Sequence, residues 1–306
     1  MQIQWYPGHM FKAKKEIKET LPKVELIIEI LDARIPFSSE NPMLAELRGD
    51  KPCIKVLSKT DLADPKITKQ WLEHFDQEEG TEAAFPITTK QPETIKKLPS
   101  LIREKITITD RQIHTMIVGI PNVGKSTLIN ILAGRTIAKT GNEPAVTKGQ
   151  QRIKLDNGIT LLDTPGVLWP NVENVNSGYR LAATGAVRDT AMEYPDVAFY
   201  LSNYLIKHYP ENLLSRYELD QLPDVELELL EVIGKKTGCL RSGGQVDLEK
   251  VSRLFLMDYR TGLLGEISLE LPEDKIKELA ELEIIRAKKM AQKIAREEQR
   301  KKKKRR

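Results

Sequence analysis

Hydrophobic residues in the first 170 positions form short runs that alternate with amphipathic segments. The runs have the length of buried strands and lie at residues 24–31, 53–57, 83–87 and 113–118. Between them, Asp64-Pro65 supplies an N-cap and a first-turn proline for one helix. Residues 91–106 also show a helical pattern, which Pro99 interrupts. This alternation predicts an α/β fold with a mainly parallel sheet flanked by helices.

Two further elements are predicted towards the end of this region. A helix through Ile129 stops at Gly134, a residue typical of helix ends. Apolar segments at 153–155 and 159–162 then flank Asp156-Asn157-Gly158, and an Asn-Gly pair favours a tight hairpin. We therefore expect an antiparallel edge on the sheet.

Beyond about residue 170 the pattern becomes helical. Amphipathic segments recur without convincing strands between them, at residues 197–208, 225–233 and 248–259. They predict a smaller all-α domain after the α/β domain. The expected divisions are residues 1–175, 176–280 and 281–306, the last a basic C-terminal helix and tail.

Composition limits the class of protein. A chain of 306 residues with 40% hydrophobic content can bury one substantial core and a second, smaller one. No stretch approaches the roughly 18 apolar residues that span a bilayer, and residues 1–11 lack the apolar core of a signal peptide. Cys53 and Cys239 have no metal-ligand spacing around them, so we expect buried thiols. The sequence therefore predicts a soluble, cytoplasmic protein.

The formal net charge of +4 conceals a strongly basic C-terminus. Residues 281–306 hold twelve Lys or Arg against four Glu, so the rest of the chain is acidic. Such a tail suits phosphate-rich partners, above all nucleic acid. Two alternatives stay open, which are a solvated helix end and a contact with an anionic membrane surface.

The strongest chemical signal is a glycine-containing loop, which follows a predicted strand and precedes a predicted helix. It reads Gly119-Ile120-Pro121-Asn122-Val123-Gly124-Lys125-Ser126. The glycines let backbone N–H groups close around phosphate oxygens, Lys125 adds a point charge, and Ser126 can ligate Mg²⁺. We expect a phosphate-binding loop. Its nucleotide-binding residues would be Asn122, Val123, Gly124, Lys125, Ser126 and Thr127.

A second motif, Asp163-Thr164-Pro165-Gly166, ends the strand predicted at 159–162. Asp163 can hold the Mg²⁺ through a water molecule, and the Gly166 N–H can sense a γ-phosphate. With the phosphate loop, this motif indicates a site for a nucleoside triphosphate and magnesium.

A third motif, Ser58-Lys59-Thr60-Asp61, addresses the choice of base. The Asp61 carboxylate can accept hydrogen bonds from N1–H and the exocyclic amine of guanine, whereas adenine offers no such pair of donors. Lys59 can lie along the base, and Ser58 stands where Asn is usual, which removes one bracing amide. Thr88 and Thr89, after the next strand, can offer backbone N–H groups to guanine O6. The sequence thus predicts GTP and GDP as ligands.

The base motif precedes the phosphate loop, the reverse of the order in an ordinary GTPase. This order resembles that of the circularly permuted GTPases. Residues 5 to about 185 also resemble the ribosome biogenesis GTPase A family, and the basic helical end agrees with it. Three motifs carry this resemblance: Trp5-Tyr6-Pro7-Gly8-His9-Met10, Asp32-Ala33-Arg34-Ile35-Pro36 and Pro144-Ala145-Val146-Thr147-Lys148-Gly149.

The resemblance implies a circularly permuted P-loop GTPase domain, followed at 176–280 by a helical domain that binds RNA or the ribosome. It implies an enzyme that hydrolyses GTP to GDP and phosphate in late maturation of the large ribosomal subunit. The subunit precursor and its rRNA would be the partners, and the assembling particle would stimulate hydrolysis. Without this resemblance, the residues predict only a guanine-nucleotide switch with a tail that binds polyanions.

Two residue roles also follow from resemblance. Thr147 matches the family's switch threonine, which would close on Mg²⁺ and the γ-phosphate only in the triphosphate state. Asn122 stands where potassium-dependent GTPases place an asparagine near the α-phosphate, so K⁺ is a hypothetical second cofactor. For Arg34, on the loop after the first strand, two interpretations stay open, which are a charge contributor to catalysis and a structural ion pair.

The usual water-positioning group is missing. Many GTPases carry a glutamine directly after Asp-Thr-Pro-Gly, whereas this chain has Val167. Because a permuted chain would continue from Gly166 into the segment at 10–31, the N-terminus should lie close to Val167. We predict that His9, on a turn after Pro7-Gly8, positions or activates the attacking water. The alternative is that His9 only caps or packs the first helix.

Three classes of function stay open. A ribosome-assembly GTPase predicts association with large-subunit particles that requires the triphosphate and weakens steeply with salt. A signalling or trafficking GTPase predicts a protein or membrane target, and a passive RNA-binding scaffold predicts binding that ignores the nucleotide. The family resemblance favours the first class.

Overall fold

The hydrophobic runs form one sheet. The computed structural model describes residues 3–105, 112–137, 151–155 and 158–304. The strands are β1 (Leu26–Asp32), β2 (Cys53–Ser58), β3 (Thr81–Pro86), β4 (Ile113–Gly119), β5 (Gln151–Lys154) and β6 (Ile159–Asp163). Their order is β3-β2-β1-β4-β6-β5, and all neighbours are parallel except β5, which pairs with β6 antiparallel. The predicted α/β sheet and its antiparallel edge are confirmed, while Asp156-Asn157 of the hairpin lies outside the described residues.

Helices connect these strands where the sequence places helix starts and stops. They are α1 (Gly8–Thr20), α2 (Pro36–Ser39), α3 (Pro42–Arg48), α4 (Pro65–Asp76), α5 (Pro92–Lys96), α6 (Leu98–Lys105) and α7 (Lys125–Ala133). The Asp64 carboxylate accepts hydrogen bonds from the N–H groups of Lys66 (2.8 Å) and Ile67 (3.3 Å), which caps α4. Gly134, at φ +64°, ends α7. Both predicted boundaries are confirmed.

Pro99 divides the helical pattern at 91–106 into α5 and α6. A proline inside a continuous helix lacks the N–H for the ladder, and its ring clashes with the carbonyl four residues earlier. In α6, Pro99 is the second residue, where no intrahelical donor is needed. The Ser100 N–H donates to the Lys97 carbonyl at 3.1 Å, so a new first turn begins there.

Between residues 164 and 304 the described chain is helical, apart from an isolated bridge between Leu240 and Val246. The helices are α8 (Val175–Ala183), α9 (Tyr194–His208), α10 (Pro210–Tyr217), α11 (Glu226–Lys236), α12 (Leu248–Thr261) and α13 (Pro272–Lys304). Helices α9, α11 and α12 confirm the predicted amphipathic segments, whereas α8 and α10 were not predicted. Helix α13 continues without a break through residue 281. The division into domains at 176 and 281 stays a prediction.

One hydrophobic core runs from the sheet into the helical region. It includes Ile28 and Ile117 of the sheet together with Leu201 and Phe255 of the helices, all fully buried. Such a shared core holds the helices at a fixed position against the sheet, because displacing them would expose apolar surface. Both cysteine thiols are buried, as expected. Within the described ranges, no helix is long and apolar enough to cross a membrane.

The linker between α12 and α13, residues 262–271, lies against loops at the carboxyl edge of the sheet. The Ile267 N–H donates to the Leu62 carbonyl at 2.9 Å, and the Leu269 N–H donates to the Arg34 carbonyl at 2.8 Å. The linker therefore joins the loop after β1 and the loop after β2 to the start of α13.

Glu270 anchors this linker from inside the protein. Its side chain has no exposed surface, accepts hydrogen bonds from the Ser38 N–H (2.9 Å) and hydroxyl (2.6 Å), and pairs with Arg180 at 3.2 Å. Burial raises the pKa of Glu270 to about 7, although Arg180 and Ser38 act in the opposite direction. Helix α2, helix α8 and the linker thus meet at one buried carboxyl group.

Candidate functional site

The carboxyl ends of the five parallel strands share one edge of the sheet. From the central strand β1, the chain proceeds through β2 to β3 at one side of the sheet. It then returns to β4, the other neighbour of β1, and proceeds to β6 on the opposite side. Ligands of open α/β sheets bind where the strand order reverses in this way, here between β1 and β4. The loops after β1, β2, β3, β4 and β6 carry most of the residues that the sequence singled out.

The phosphate loop lies tightly against β1. A Cβ on Gly119 would lie 2.6 Å from the Ile30 carbonyl oxygen, so glycine is required there. Gly124 has a φ of +102° and directly precedes α7. The first backbone N–H groups of α7, from Lys125 to Thr127, have no intrahelical acceptor and can bind an anion.

Lys125 lies over its own loop. Its Nζ donates to the carbonyls of Gly119 (3.1 Å) and Ile120 (2.8 Å), and the side chain is buried. Burial lowers the pKa of Lys125 to about 8, and the nearby Asp163 opposes that shift. The negative charge of a phosphate in the loop would favour the ammonium form further.

Asp163 ends β6 beside Ile117 of β4. The residue is 1% exposed, and among the described atoms neither carboxylate oxygen has a hydrogen-bond partner. Burial raises the pKa of Asp163 to about 6, and Lys125 partly offsets the shift. A buried carboxylate without donors is an incomplete arrangement, since such groups normally meet donors or a cation.

The chain after Asp163 crosses directly over the phosphate loop. Thr164 Oγ1 donates to the Ile117 carbonyl at 2.7 Å, and the Val167 N–H donates to the Gly119 carbonyl at 3.2 Å. A Cβ on Gly166 would lie 2.8 Å from Pro121 Cα and 3.0 Å from Lys125 Nζ. The predicted γ-phosphate sensor is therefore packed against the phosphate loop.

Ser58 links the base motif to the same loop. Its hydroxyl lies 2.6 Å from the Val123 carbonyl and 2.9 Å from the Leu31 carbonyl. A hydroxyl has a single proton and donates to one of these oxygens at a time, whereas an asparagine amide has two. Serine thus retains the brace between the motifs with one donor fewer.

Asp61 is held by the second base loop. Thr88 Oγ1 donates to one carboxylate oxygen at 2.7 Å, and Lys90 Nζ lies 3.2 Å from the other. Burial alone would raise the pKa of Asp61, but the hydrogen bonds from Thr88 and Lys90 lower it below the usual value. Thr60 Oγ1 donates to the Ile87 carbonyl at 3.1 Å, and Thr89 is exposed beside it. The structure therefore brings the two predicted base loops together.

Lys59 is oriented by a residue that the sequence analysis did not select as a site residue, Asp32. Lys59 adopts a left-handed backbone conformation at φ +57°, and its Nζ donates to Asp32 Oδ2 at 2.9 Å. Arg34 holds the same carboxylate with two hydrogen bonds, of 2.9 Å to Oδ1 and 2.8 Å to Oδ2. Arg34 and Lys59 keep the pKa of Asp32 well below its usual range, although burial alone would raise it.

Arg34 forms a structural ion pair, one of its two proposed roles. It is 1% exposed, and its guanidinium lies 5.2 Å from the centre of the Tyr259 ring on α12. A planar guanidinium that pairs with a carboxylate and also lies against an aromatic ring is fixed in orientation. Helix α12 thereby supports the position of Lys59 through Arg34 and Asp32.

Asn122 connects the phosphate loop to the helical region. Its Nδ2 donates to the Gly185 carbonyl at 2.8 Å, and its backbone is left-handed at φ +57°. Arg260 of α12 donates in turn to the carbonyls of Ala183 (3.0 Å) and Ala182 (2.8 Å) at the end of α8. A movement of the phosphate loop can thus displace the end of α8 and reach α12.

His9 lies in the first turn of α1 and is exposed. Its ring packs edge-on against Trp5 with centroids 6.2 Å apart, and burial together with Arg188 lowers its pKa below the usual value. Gln4 Nε2 donates to the Val172 carbonyl at 3.2 Å, so the N-terminal segment lies beside the chain that follows the Asp163-Thr164-Pro165-Gly166 motif. Among the described residues, the ring contact of His9 is with Trp5, and Arg188 acts on it through its charge. Its catalytic role stays a prediction.

Thr147 lies outside the described residues, as does the rest of the 144–149 motif. In the described ranges, no group of three or more His, Cys, Asp or Glu residues has the arrangement of a protein metal cage.

Comparisons with known proteins agree with this geometry. Residues 114–225 match the family model of the 50S ribosome-binding GTPases. Ribosome biogenesis GTPase A of Bacillus cereus is 45% identical over 93% of this chain and 99% of its own length. The protein of that name from Thermotoga maritima is 35% identical over 89% of this chain and 95% of its own. The solved GNP-bound YlqF structure from T. maritima is 30% identical, with a TM-score of 0.62 over 86% of this chain and 99% of that one.

Proposed function

The chain belongs to the ribosome biogenesis GTPase A family, and from that premise we propose that its GTP hydrolysis serves late maturation of the large ribosomal subunit. The ribosomal part of the proposal rests on the family membership, and the observation that supports the GTP site is the Ser58 hydroxyl between the base motif and the phosphate loop, within hydrogen-bond distance of Val123. It unites the guanine-selecting and phosphate-binding residues at one edge of the sheet. We propose the cytoplasm as its location.

The residues present fit a magnesium ion beside the phosphates. Ser126 and, through water, Asp163 would hold it, and Thr147 would join them in the triphosphate state. The buried Asp163 oxygens without hydrogen-bond donors support this assignment. Bound Mg²⁺ would neutralise phosphate charge during the transfer to water. Lys125 and the Gly166 N–H would act from the protein side on the same phosphate oxygens.

We propose that His9 takes the place of the missing glutamine. Burial and the charge of Arg188 lower its pKa, which favours the neutral imidazole that can accept a proton or a hydrogen bond from water. Val167 is 1% exposed, and an apolar side chain has no group with which to orient water. A ribosomal particle that fixes the exposed first turn of α1 would complete the site and stimulate turnover.

Potassium is expected to stimulate turnover through Asn122. This side chain lies in the phosphate loop, and its hydrogen bond to the Gly185 carbonyl gives its amide a defined orientation there. Turnover should therefore be faster in potassium chloride than in sodium chloride at equal ionic strength, and Asn122→Ala should remove the difference. Equal rates in the two salts would contradict the potassium hypothesis and leave the GTPase assignment intact.

The basic end of α13 is the proposed contact with rRNA. Arg286, Lys288, Lys289 and Lys293 are exposed on the described part of this helix. Lysine and arginine displace counterions from RNA when they bind it, so the affinity falls as salt rises. The logarithm of the binding constant decreases with the logarithm of the salt concentration, by a slope of about 0.7 to 0.9 for each phosphate contacted. The same basic residues would contribute little to binding a neutral protein surface.

Sedimentation with large-subunit precursors tests the proposal. The protein should co-sediment with the particles when a non-hydrolysable GTP analogue is present and should not when GDP is present. In the presence of the analogue, the bound fraction should fall progressively as the salt concentration is raised from about 50 to 200 mM. GTP turnover should rise in the particle-bound fraction. Binding that survives Lys125→Ala would indicate a passive RNA-binding scaffold, and absence of binding in every nucleotide would favour a signalling or trafficking target instead.

A further inference from the structure

A groove of about 880 Å³ opens on the helical region, away from the nucleotide motifs. Helices α8, α9 and α13 and the start of α11 form its walls. Tyr179 of α8 and Tyr200 of α9 stack with their ring centres 4.9 Å apart and their planes within 10°. Further along α9, Tyr204 and His208 form a second ring pair with centres 4.4 Å apart. The groove thus presents planar aromatic faces in two places.

Carboxylates outnumber cations along this groove. The acidic residues that line it are Asp196, Glu226, Asp274, Glu278 and Glu281. The cations that line it are Arg180, Lys207 and Lys277. Of the carboxylates, those of Asp196 and Glu281 are exposed at the rim. The excess of carboxylates attracts cations and repels the phosphates of nucleic acid. The groove therefore favours a cationic occupant over a nucleic acid.

Arg180, a cation in the wall of the groove, is neutralised within the protein. Its two terminal nitrogens donate to Glu278 at 3.0 and 2.9 Å, and Glu270 lies 3.2 Å from one of them. The residue is 4% exposed, so its charge is not open to an occupant of the groove. The exposed carboxylates of Asp196 and Glu281 therefore face a groove whose most buried cation is already paired.

We propose that this groove binds an arginine-bearing, basic peptide segment of a partner protein. A guanidinium is planar and weakly hydrated, so one arginine of the segment can stack on Tyr179, while the carboxylates of Asp196 and Glu281 attract this and neighbouring arginines. Lysine would gain the charge attraction without the stacking. This site is separate from the rRNA contact proposed for α13, and its test requires no ribosomal particle.

Binding of a fluorescent octa-arginine peptide to the full chain, followed by anisotropy, tests the inference. The chain should bind octa-arginine more tightly than octa-lysine of equal charge, because only arginine stacks. Tyr179→Leu should weaken octa-arginine binding about 3- to 30-fold and bring it to the level of octa-lysine, as expected for the loss of one cation–π contact. The double variant Asp196→Asn/Glu281→Gln should weaken both peptides.

A charge-matched variant separates the groove from the overall charge. Glu46→Gln/Glu82→Gln removes two exposed carboxylates from helix α3 and strand β3, which do not line the groove, and should leave both affinities within about twofold of the original, because distant exposed charges are screened. Basal GTP turnover should be unchanged in all three variants, which verifies folding. Equal weakening by the two double variants, or no preference for octa-arginine, would overturn the inference. Loss of binding to a uridine oligonucleotide in Tyr179→Leu would show that the groove takes RNA instead.

Discussion

Replacing Gly166 with alanine is expected to slow GTP hydrolysis by about 10²- to 10³-fold, the effect of losing one well-placed donor to transition-state charge. The added Cβ would lie 2.8 Å from Pro121 Cα and 2.9 Å from Pro121 N, both backbone atoms of the phosphate loop. Backbone cannot rotate away as the end of a long side chain can. The loop and the Gly166 N–H would therefore separate, and both bind the γ-phosphate in the proposed mechanism.

Single-turnover hydrolysis and equilibrium binding of GDP and a GTP analogue measure this effect separately. GTP affinity should fall more than GDP affinity, because only GTP carries the γ-phosphate. Gly178→Ala on α8 is the matched control, since its new Cβ would meet its neighbours at 3.6 Å or more, ordinary contact distances. Unimpaired hydrolysis in Gly166→Ala would contradict the role of the Gly166 N–H.

Replacing His9 with alanine is expected to reduce ribosome-stimulated hydrolysis by about 10²- to 10⁴-fold, the usual contribution of a positioned acid–base group. GTP binding should remain within about twofold, because the ring contact of His9 is with Trp5, outside the nucleotide motifs. His9→Gln should recover part of the rate, since an amide can orient water without accepting its proton. Stimulated turnover in the original protein should fall at low pH as the imidazole becomes protonated, and this fall should be absent in His9→Gln.

The histidine control is His114→Ala. His114 lies near the start of β4, at the opposite end of the strand from the phosphate loop, with Nδ1 3.6 Å from Glu25. This variant should show normal stimulation. If His9→Ala were stimulated as strongly as the original protein, His9 would be a packing residue of α1 and the water would be oriented by another group.

The sequence predicts much of the nucleotide site because its residues are consecutive. Gly119 to Ser126 form one loop, and strand-then-helix patterning fixes where that loop lies. The proximity of Thr88 and Asp61 could also be predicted, because both residues follow parallel strands that end at one edge of the sheet. In each case a local pattern and the rules of sheet topology suffice.

The residues that the sequence analysis missed act through contacts between distant segments. Asp32 is a site residue only because Lys59 and Arg34 converge on it, and Arg260 supports the phosphate loop only through α8. Neither hydrophobic periodicity nor motif spacing predicts such contacts between distant segments. Helix α8 did have a local signal, since Asn174 caps it by accepting from the Ser177 N–H at 3.1 Å.

The course of the 262–271 linker has a consequence for how deletions of this protein must be designed. A truncation before residue 262 would remove α13 and also the N–H groups that reach Leu62 and Arg34, so weaker nucleotide binding and weaker RNA binding would appear together. A truncation just after Leu282, the last buried apolar residue of the described α13, keeps the linker and removes most of the basic charge. Only the second cut separates the tail's contribution from that of the guanine site.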